Sequence, residues 1–283
     1  MNERWNFETE GYAVIRSFFG PAELDTVVNA VGDVLASPSD PSMNRTGNEL
    51  FPPRWNDPIA ATSLQATSSM SALRDATDVR NLGWISGYVS TKCGRSPALG
   101  WHQDWWCWDH PASFQRQATQ IAVLCHLSDT RKKNGALLLR VLPGLHHAHT
   151  ATHRPLPEAH GESACMLPVD HPALNSVAGE VTLGLRAGDA AVLDYRRLYG
   201  THPNNLSIRR DAVLLSFVLD WVHIPADLRS HYALHPALPG ARENELRLAT
   251  SYFDLLPDFS RVGESFSLNR VPPAGFRAID TAS

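Results

Sequence analysis

Cysteine is scarce in this chain: four in 283 residues, at positions 93, 107, 125 and 165, with no C-x-x-C pair among them. That spacing argues against a zinc knuckle and against a secreted disulfide framework, so reduced thiols are expected. Also missing is any uninterrupted apolar stretch long enough to span a bilayer, and the first eight residues, MNERWNFE, lack the positive start and apolar run of a secretion signal. No membrane partner and a cytoplasmic location are therefore expected. Positive charge is not in excess either. The formal net charge is −4 and the basic residues are dispersed apart from short clusters such as Arg131, Lys132 and Lys133, which speaks against a nucleic-acid partner. Strand-helix alternation, internal repeats, low-complexity tracts and linkers are absent as well. A Rossmann fold is thereby disfavoured, and one domain over residues 1–283 is the simplest account.

What is present is an ordinary globular composition. A chain of this length buries roughly three quarters of the surface it exposes when unfolded, so it needs neither disulfides nor a structural metal to hold a core. Any metal would then serve chemistry. Residues 12–19 predict a strand, and after Gly20-Pro21 the apolar positions Leu24, Val27, Val28, Val31, Val34 and Leu35 fall at helical spacing. Five prolines in residues 37–60 predict a loop, and a second helix is expected over 63–77. From there the pattern changes to short β-rich runs at 84–91, 99–106, 120–127, 136–142, 181–185, 190–195 and 212–219, separated by turn signals. The fold class expected is mainly β with flanking helices, a sandwich or barrel. Residues 146–178, rich in Pro, His and Ala, read as an insertion of the kind that carries substrate contacts.

The most informative run is Gly100-Trp-His-Gln-Asp-Trp-Trp-Cys-Trp108. Residues two apart on a strand share a face, so His102 and Asp104 can present an imidazole and a carboxylate to one cation. A distant second His would complete the 2-His-1-carboxylate face of a non-haem iron oxygenase. The H-x-D pattern is short, and 13 His give it room to arise by chance. By the same alternation Trp106 and Trp108 share the His102 side, where they could form an aromatic wall of a substrate pocket, while Trp101 and Trp105 read as core. His146, His147, His149 and His153 form a second cluster without helical spacing and read as loop structure.

Downstream, in order, come Asn134-Gly135, Leu142-Pro-Gly-Leu-His146, Gly188-Asp189, Tyr199-Gly-Thr-His-Pro-Asn204 and Arg209-Arg210. This series resembles the phytanoyl-CoA dioxygenase (PhyH) family of Fe(II)/2-oxoglutarate-dependent oxygenases, with its W-H-x-D, N-G, P-G-S-H, G-D and H-G-x-x-x-N motifs followed by a basic residue. The opening segment, residues 10–19, is similar to that family's N-terminal part, and the likeness covers roughly residues 7–220.

The resemblance implies a double-stranded β-helix, a jelly roll of cupin type, that holds one Fe(II) and takes 2-oxoglutarate, dioxygen and a small-molecule substrate, with natural products among the candidates. His102 and Asp104 match the first two metal ligands. Arg210 matches the clamp for the distal carboxylate of 2-oxoglutarate, with Thr201 beside it and Gln120 as a further co-substrate candidate. In the slot of the third ligand, however, stands Tyr199. Three readings follow. His202 swings in as catalytic and metal-binding residue; Tyr199 or a water ligates instead; or the chain binds metal poorly and acts as a ligand-binding or non-redox protein. The carboxylate at Asp104 favours hydroxylation, desaturation or cyclisation over halogenation, because related halogenases carry a small residue there to admit chloride.

Overall fold

The structure, a computed structural model, describes residues 3–39, 44–52, 58–131, 139–144, 166–233, 254–257 and 266–272, with a few single positions between them. Ten strands run through these segments: β1 (Tyr12–Ile15), β2 (Glu49–Phe51), β3 (Leu82–Lys92), β4 (Leu99–His102), β5 (Gln120–His126), β6 (Leu139–Val141), β7 (Val181–Leu183), β8 (Ala190–Asp194), β9 (Tyr199–Thr201) and β10 (Arg210–Leu219). They form a six-stranded sheet in the order β1-β8-β5-β10-β3-β2 and a four-stranded sheet in the order β4-β9-β6-β7. All the pairings are antiparallel. The architecture is a jelly roll.

The larger sheet is buried on both faces. Along β10, Val213, Leu215 and Phe217 join the main core, where they meet Val89, Val123 and Val192 of neighbouring strands. Their alternates Ala212 and Leu214 face a cavity instead, as period-2 side-chain direction requires. The outer face of that sheet is covered by α1 (Glu3–Glu10), α2 (Pro21–Leu35), α3 (Pro58–Gln65) and α4 (Thr67–Thr77). Helix α2 starts with Pro at its first position and Glu23 in its first turn, both suited to the unpaired N–H groups and positive dipole end there. It buries Val27 and Val31 against the same core as Ile59 and Leu64 of α3 and Met70 and Leu73 of α4. Each such side chain contributes about 1.5–3 kcal/mol on burial. Between the sheets, Leu139, Val141 and Leu183 pack on Ala191 and Leu193.

Several elements differ from the sequence expectation. The helix expected over 63–77 is broken at Ala66, whose extended backbone (φ −65°, ψ 90°) separates α3 from α4. The strand expected over 99–106 ends at His102, and the loop expected over 37–60 contains β2. Of the strand expected at 136–142, residues 139–141 are β6, while 132–138 lie outside the described residues. A further helix, α5 (Ala226–Ala233), follows the barrel. Among the described residues no helix is long and apolar enough to cross a membrane.

Candidate active site

A cavity of about 230 Å³ lies inside the barrel, between the two sheets. His102 and Tyr199 face each other directly across the β4–β9 pair, and Leu99 faces Thr201. The close approach of these strands depends on glycine: a Cβ at Gly200 would sit 2.8 Å from the Leu99 carbonyl oxygen and 3.2 Å from that of Gly100. After His102 the chain leaves the strand, and the backbone N–H groups of Asp104 and Trp105 both donate to the carbonyl oxygen of Tyr195 at 3.0 Å. That turn, rather than a continuous strand, brings Asp104 back to the cavity beside His102.

Nδ1 of His102 lies 2.8 Å from the Gly100 carbonyl oxygen. With the proton on Nδ1, a tautomer assigned from this contact, Nε2 keeps its lone pair for a cation. Burial holds the imidazole below its usual pKa against the opposing pull of Asp104, which favours this neutral form. The Tyr199 hydroxyl donates to Asp104 Oδ2 at 2.5 Å, and its ring lies 4.2 Å from that of His102. Burial, followed by the Asp104 charge, pushes the Tyr199 phenol well above its usual pKa. Tyr88 and Tyr195 also line the cavity and are raised by burial first and Asp104 next.

The cavity is also lined by Arg210 and Lys92, paired across β10 and β3, and by Thr201, Ser90 and His126. Among the described residues, Nε of Arg210 and Nε2 of His126 are buried polar atoms without a hydrogen-bond partner. Thr201 Oγ1 accepts from the Leu99 N–H at 3.2 Å. Lys92 donates to the carbonyl oxygens of Gly47 and Pro97, and burial, with the Arg140 cation next, pushes it down to about 7. Leu99, Leu124, Leu139 and Leu214 also line the cavity.

Of the residues expected from the sequence, His102, Asp104, Thr201 and Arg210 share this cavity. His202 does not. It follows Thr201 on the opposite side of the strand, its Nε2 is 3.1 Å from Thr182 Oγ1, and it stands 3.8 Å from a Glu180 oxygen. The expectation that His202 completes the triad is therefore corrected, because alternation along β9 turns Tyr199 and Thr201 inward and His202 outward. Gln120 is corrected too. It lies behind the cavity wall, accepting from Trp106 Nε1 at 3.2 Å and donating to Ser216 Oγ at 2.9 Å. Trp106 and Trp108 belong to a separate buried cluster with Leu228 and Tyr232 of α5 and do not line this cavity, contrary to the expectation from strand alternation. The reason is again the turn after His102, beyond which strand alternation no longer applies. His146, His147, His149 and His153 lie outside the described residues.

Sequence reasoning missed Tyr88, Ser90 and Lys92, although polar residues at every second position of an otherwise apolar strand signal a polar cavity. It also missed Tyr195 and His126.

The donor set suits iron: an imidazole, a carboxylate and a phenol oxygen line one cavity, with the carboxylate and phenol in hydrogen-bond contact and the imidazole ring against the phenol ring, all of them N or O ligands that iron accepts. The Arg210 guanidinium, whose Nε is buried without a hydrogen-bond partner, suits a carboxylate of 2-oxoglutarate.

Comparison with known proteins agrees with this fold. Among solved structures, HygX from Streptomyces hygroscopicus, described with nickel, 2-oxoglutarate and hygromycin B bound, is 17% identical with a TM-score of 0.56, over 77% of this chain and 86% of that one. The epimerase SnoN from nogalamycin biosynthesis, in complex with Fe3+, alpha ketoglutarate and nogalamycin RO, is 14% identical with a TM-score of 0.57, over 95% and 96%. EctD from S. alaskensis, with 2-oxoglutarate and 5-hydroxyectoine, is 18% identical with a TM-score of 0.52, over 76% and 74%. At these identities the likeness is one of fold. No curated protein sequence matches. The model of the phytanoyl-CoA dioxygenase family matches residues 7–212, a span that ends within β10 and holds every cavity residue named above except Leu214, and the chain belongs to that family of non-haem oxygenases.

Proposed function

We propose that this chain is an Fe(II)- and 2-oxoglutarate-dependent oxygenase that hydroxylates, desaturates or cyclises a small-molecule substrate of natural-product type. The observation that carries the reading is that one cavity is lined both by His102 and Asp104 and by Arg210, whose Nε is buried without a partner. A dicarboxylate fits that polarity: one carboxylate beside the metal donors, the other on the guanidinium fork, and the apolar carbons against Leu124, Leu139 and Leu214.

His102 and Asp104 would hold the iron, with Tyr199 beside them. When bound, iron and 2-oxoglutarate supply the oxidising power for C–H chemistry. Arg210 orients the co-substrate, Thr201 offers a hydroxyl next to it, and the leucines keep water from the reacting end. Asp104 occupies the position that a halide would need, which supports hydroxylation or its relatives over halogenation.

The test is succinate formation from 2-oxoglutarate with Fe(II) and air, together with Arg210→Ala. We expect the variant to bind 2-oxoglutarate at least about 30-fold more weakly, the equivalent of about 2 kcal/mol for a lost charge pair. Unchanged affinity would remove Arg210 from the co-substrate site. A second reading, a ligand-binding barrel without redox activity, draws on Tyr199 in the third ligand slot. It predicts 2-oxoglutarate binding with no succinate under any metal loading or with any substrate tried.

A further inference from the structure

We propose that the phenol oxygen of Tyr199 is the third protein ligand to the iron, in place of an imidazole, a proposal that rests on the oxygenase reading above. Three observations support it. Tyr199 stands opposite His102 in the β4–β9 register, so both side chains enter the cavity from adjacent strands at the same level. Its hydroxyl is 2.5 Å from Asp104 Oδ2. Neighbouring oxygen donors on one octahedral metal, each at ~2.1 Å, lie about 3 Å apart, so the pair needs to open by only a few tenths of an ångström to admit a cation between them. And the alternatives are turned elsewhere: His202 bonds Thr182, and Tyr195 is engaged with Ser216 and Gln120. Among the described residues no group of three or more His, Cys, Asp or Glu side chains could hold a metal, so a third ligand drawn from those residues is of another kind. Phenolate oxygen serves iron in other proteins.

Ligation replaces a proton by the metal. The phenolic O–H bond breaks, its electron pair becomes the donor pair to iron, and the proton goes to solvent. No oxidant or reductant is consumed.

The probe is ferric ion, supplied as a soluble chelate to the purified full chain and followed by metal stoichiometry, visible absorption and resonance Raman scattering. A phenolate on iron(III) gives an intense visible charge-transfer band and enhanced tyrosinate ring modes. We expect one iron per chain with that band, its loss in Tyr199→Phe, its persistence in Tyr195→Phe, and a colourless one-iron protein in Tyr199→His. Raman scattering from the unmutated protein reads the ligand even if a variant fails to fold. One iron per chain without the band, or a band lost in Tyr195→Phe and kept in Tyr199→Phe, overturns the Tyr199 assignment and leaves the oxygenase reading standing. Failure to bind either ferric or ferrous ion overturns both.

Discussion

His126 is an imidazole on the cavity wall that the proposed chemistry does not use, and its burial has a consequence for stability. It is 5% exposed, its Nε2 has no hydrogen-bond partner among the described residues, and desolvation pushes its pKa down to about 4 against the partial pull of Asp189. Unfolded, the same side chain titrates near 6.5. Between those values the unfolded state binds more protons than the folded one, so stability rises with pH through this window. It is fully present above about 6.5 and lost as pH falls toward 4. Moving from pH 7.5 to 5 should cost about 2 kcal/mol through this residue. Urea midpoints measured at the two pH values should therefore fall further for the wild type than for His126→Phe, and equal falls would show that another group carries the effect. At the same scale, Asp189 of the Gly-Asp motif holds a corner together. It accepts from the Ser17 and Arg186 N–H groups, both at 2.9 Å, and from Arg16. The motif was legible in the sequence; the partner at Ser17, 172 positions away, was not.

Among the elements, β9 decides how the site is assembled, and Gly200 decides how close β9 comes to β4. Adding a methyl group there puts it 2.8 Å from a backbone carbonyl that cannot rotate away. Gly200→Ala should push the strands apart, costing about 1–3 kcal/mol in stability. It should also weaken metal binding, since His102 and Tyr199 are held across that same pair. Thermal unfolding and iron titration of the variant check both parts, and a variant with unaltered iron affinity would show that the site tolerates strand separation. The strands themselves were readable where hydrophobic period and turn signals agree: β3, β5, β8 and β10 all lie within two or three residues of the runs seen in the sequence. Reading failed where the backbone turns for reasons remote in the chain. The bend after His102 is fixed by two N–H groups converging on Tyr195, some 90 residues later, which no local pattern announces. Helix α5 escaped notice because only three of its eight residues, Leu228, Ser230 and Tyr232, are buried, so it shows little apolar periodicity.

In the whole molecule, that helix packs against the turn after β4 and gives the tryptophans concentrated there their partners. Trp106 stacks on His231 with ring centroids 3.5 Å apart and meets Tyr232 edge-on at 5.5 Å, while its indole N–H reaches Gln120. Gln120 in turn binds Ser216, and both touch the Tyr195 hydroxyl, so packing in the tryptophan cluster is linked by hydrogen bonds to a cavity-lining phenol. Residues distant in sequence, on the turn after β4, on β5, on β10 and on α5, thus form one buried unit. Trp106→Ala removes the largest side chain at its centre and leaves a buried Gln120 oxygen without its donor. The expected cost is about 3–5 kcal/mol, the range for truncating a buried aromatic. Urea unfolding measures that loss. If Trp106 acts only through packing, the surviving folded fraction should bind 2-oxoglutarate and substrate as the wild type does at low temperature, once the folded fraction is accounted for. A rise in substrate KM with little change in unfolding midpoint would instead mean that the indole faces the substrate. That outcome would require the turn after His102 to open during binding, because in this structure the ring is 3% exposed and lies behind the cavity wall.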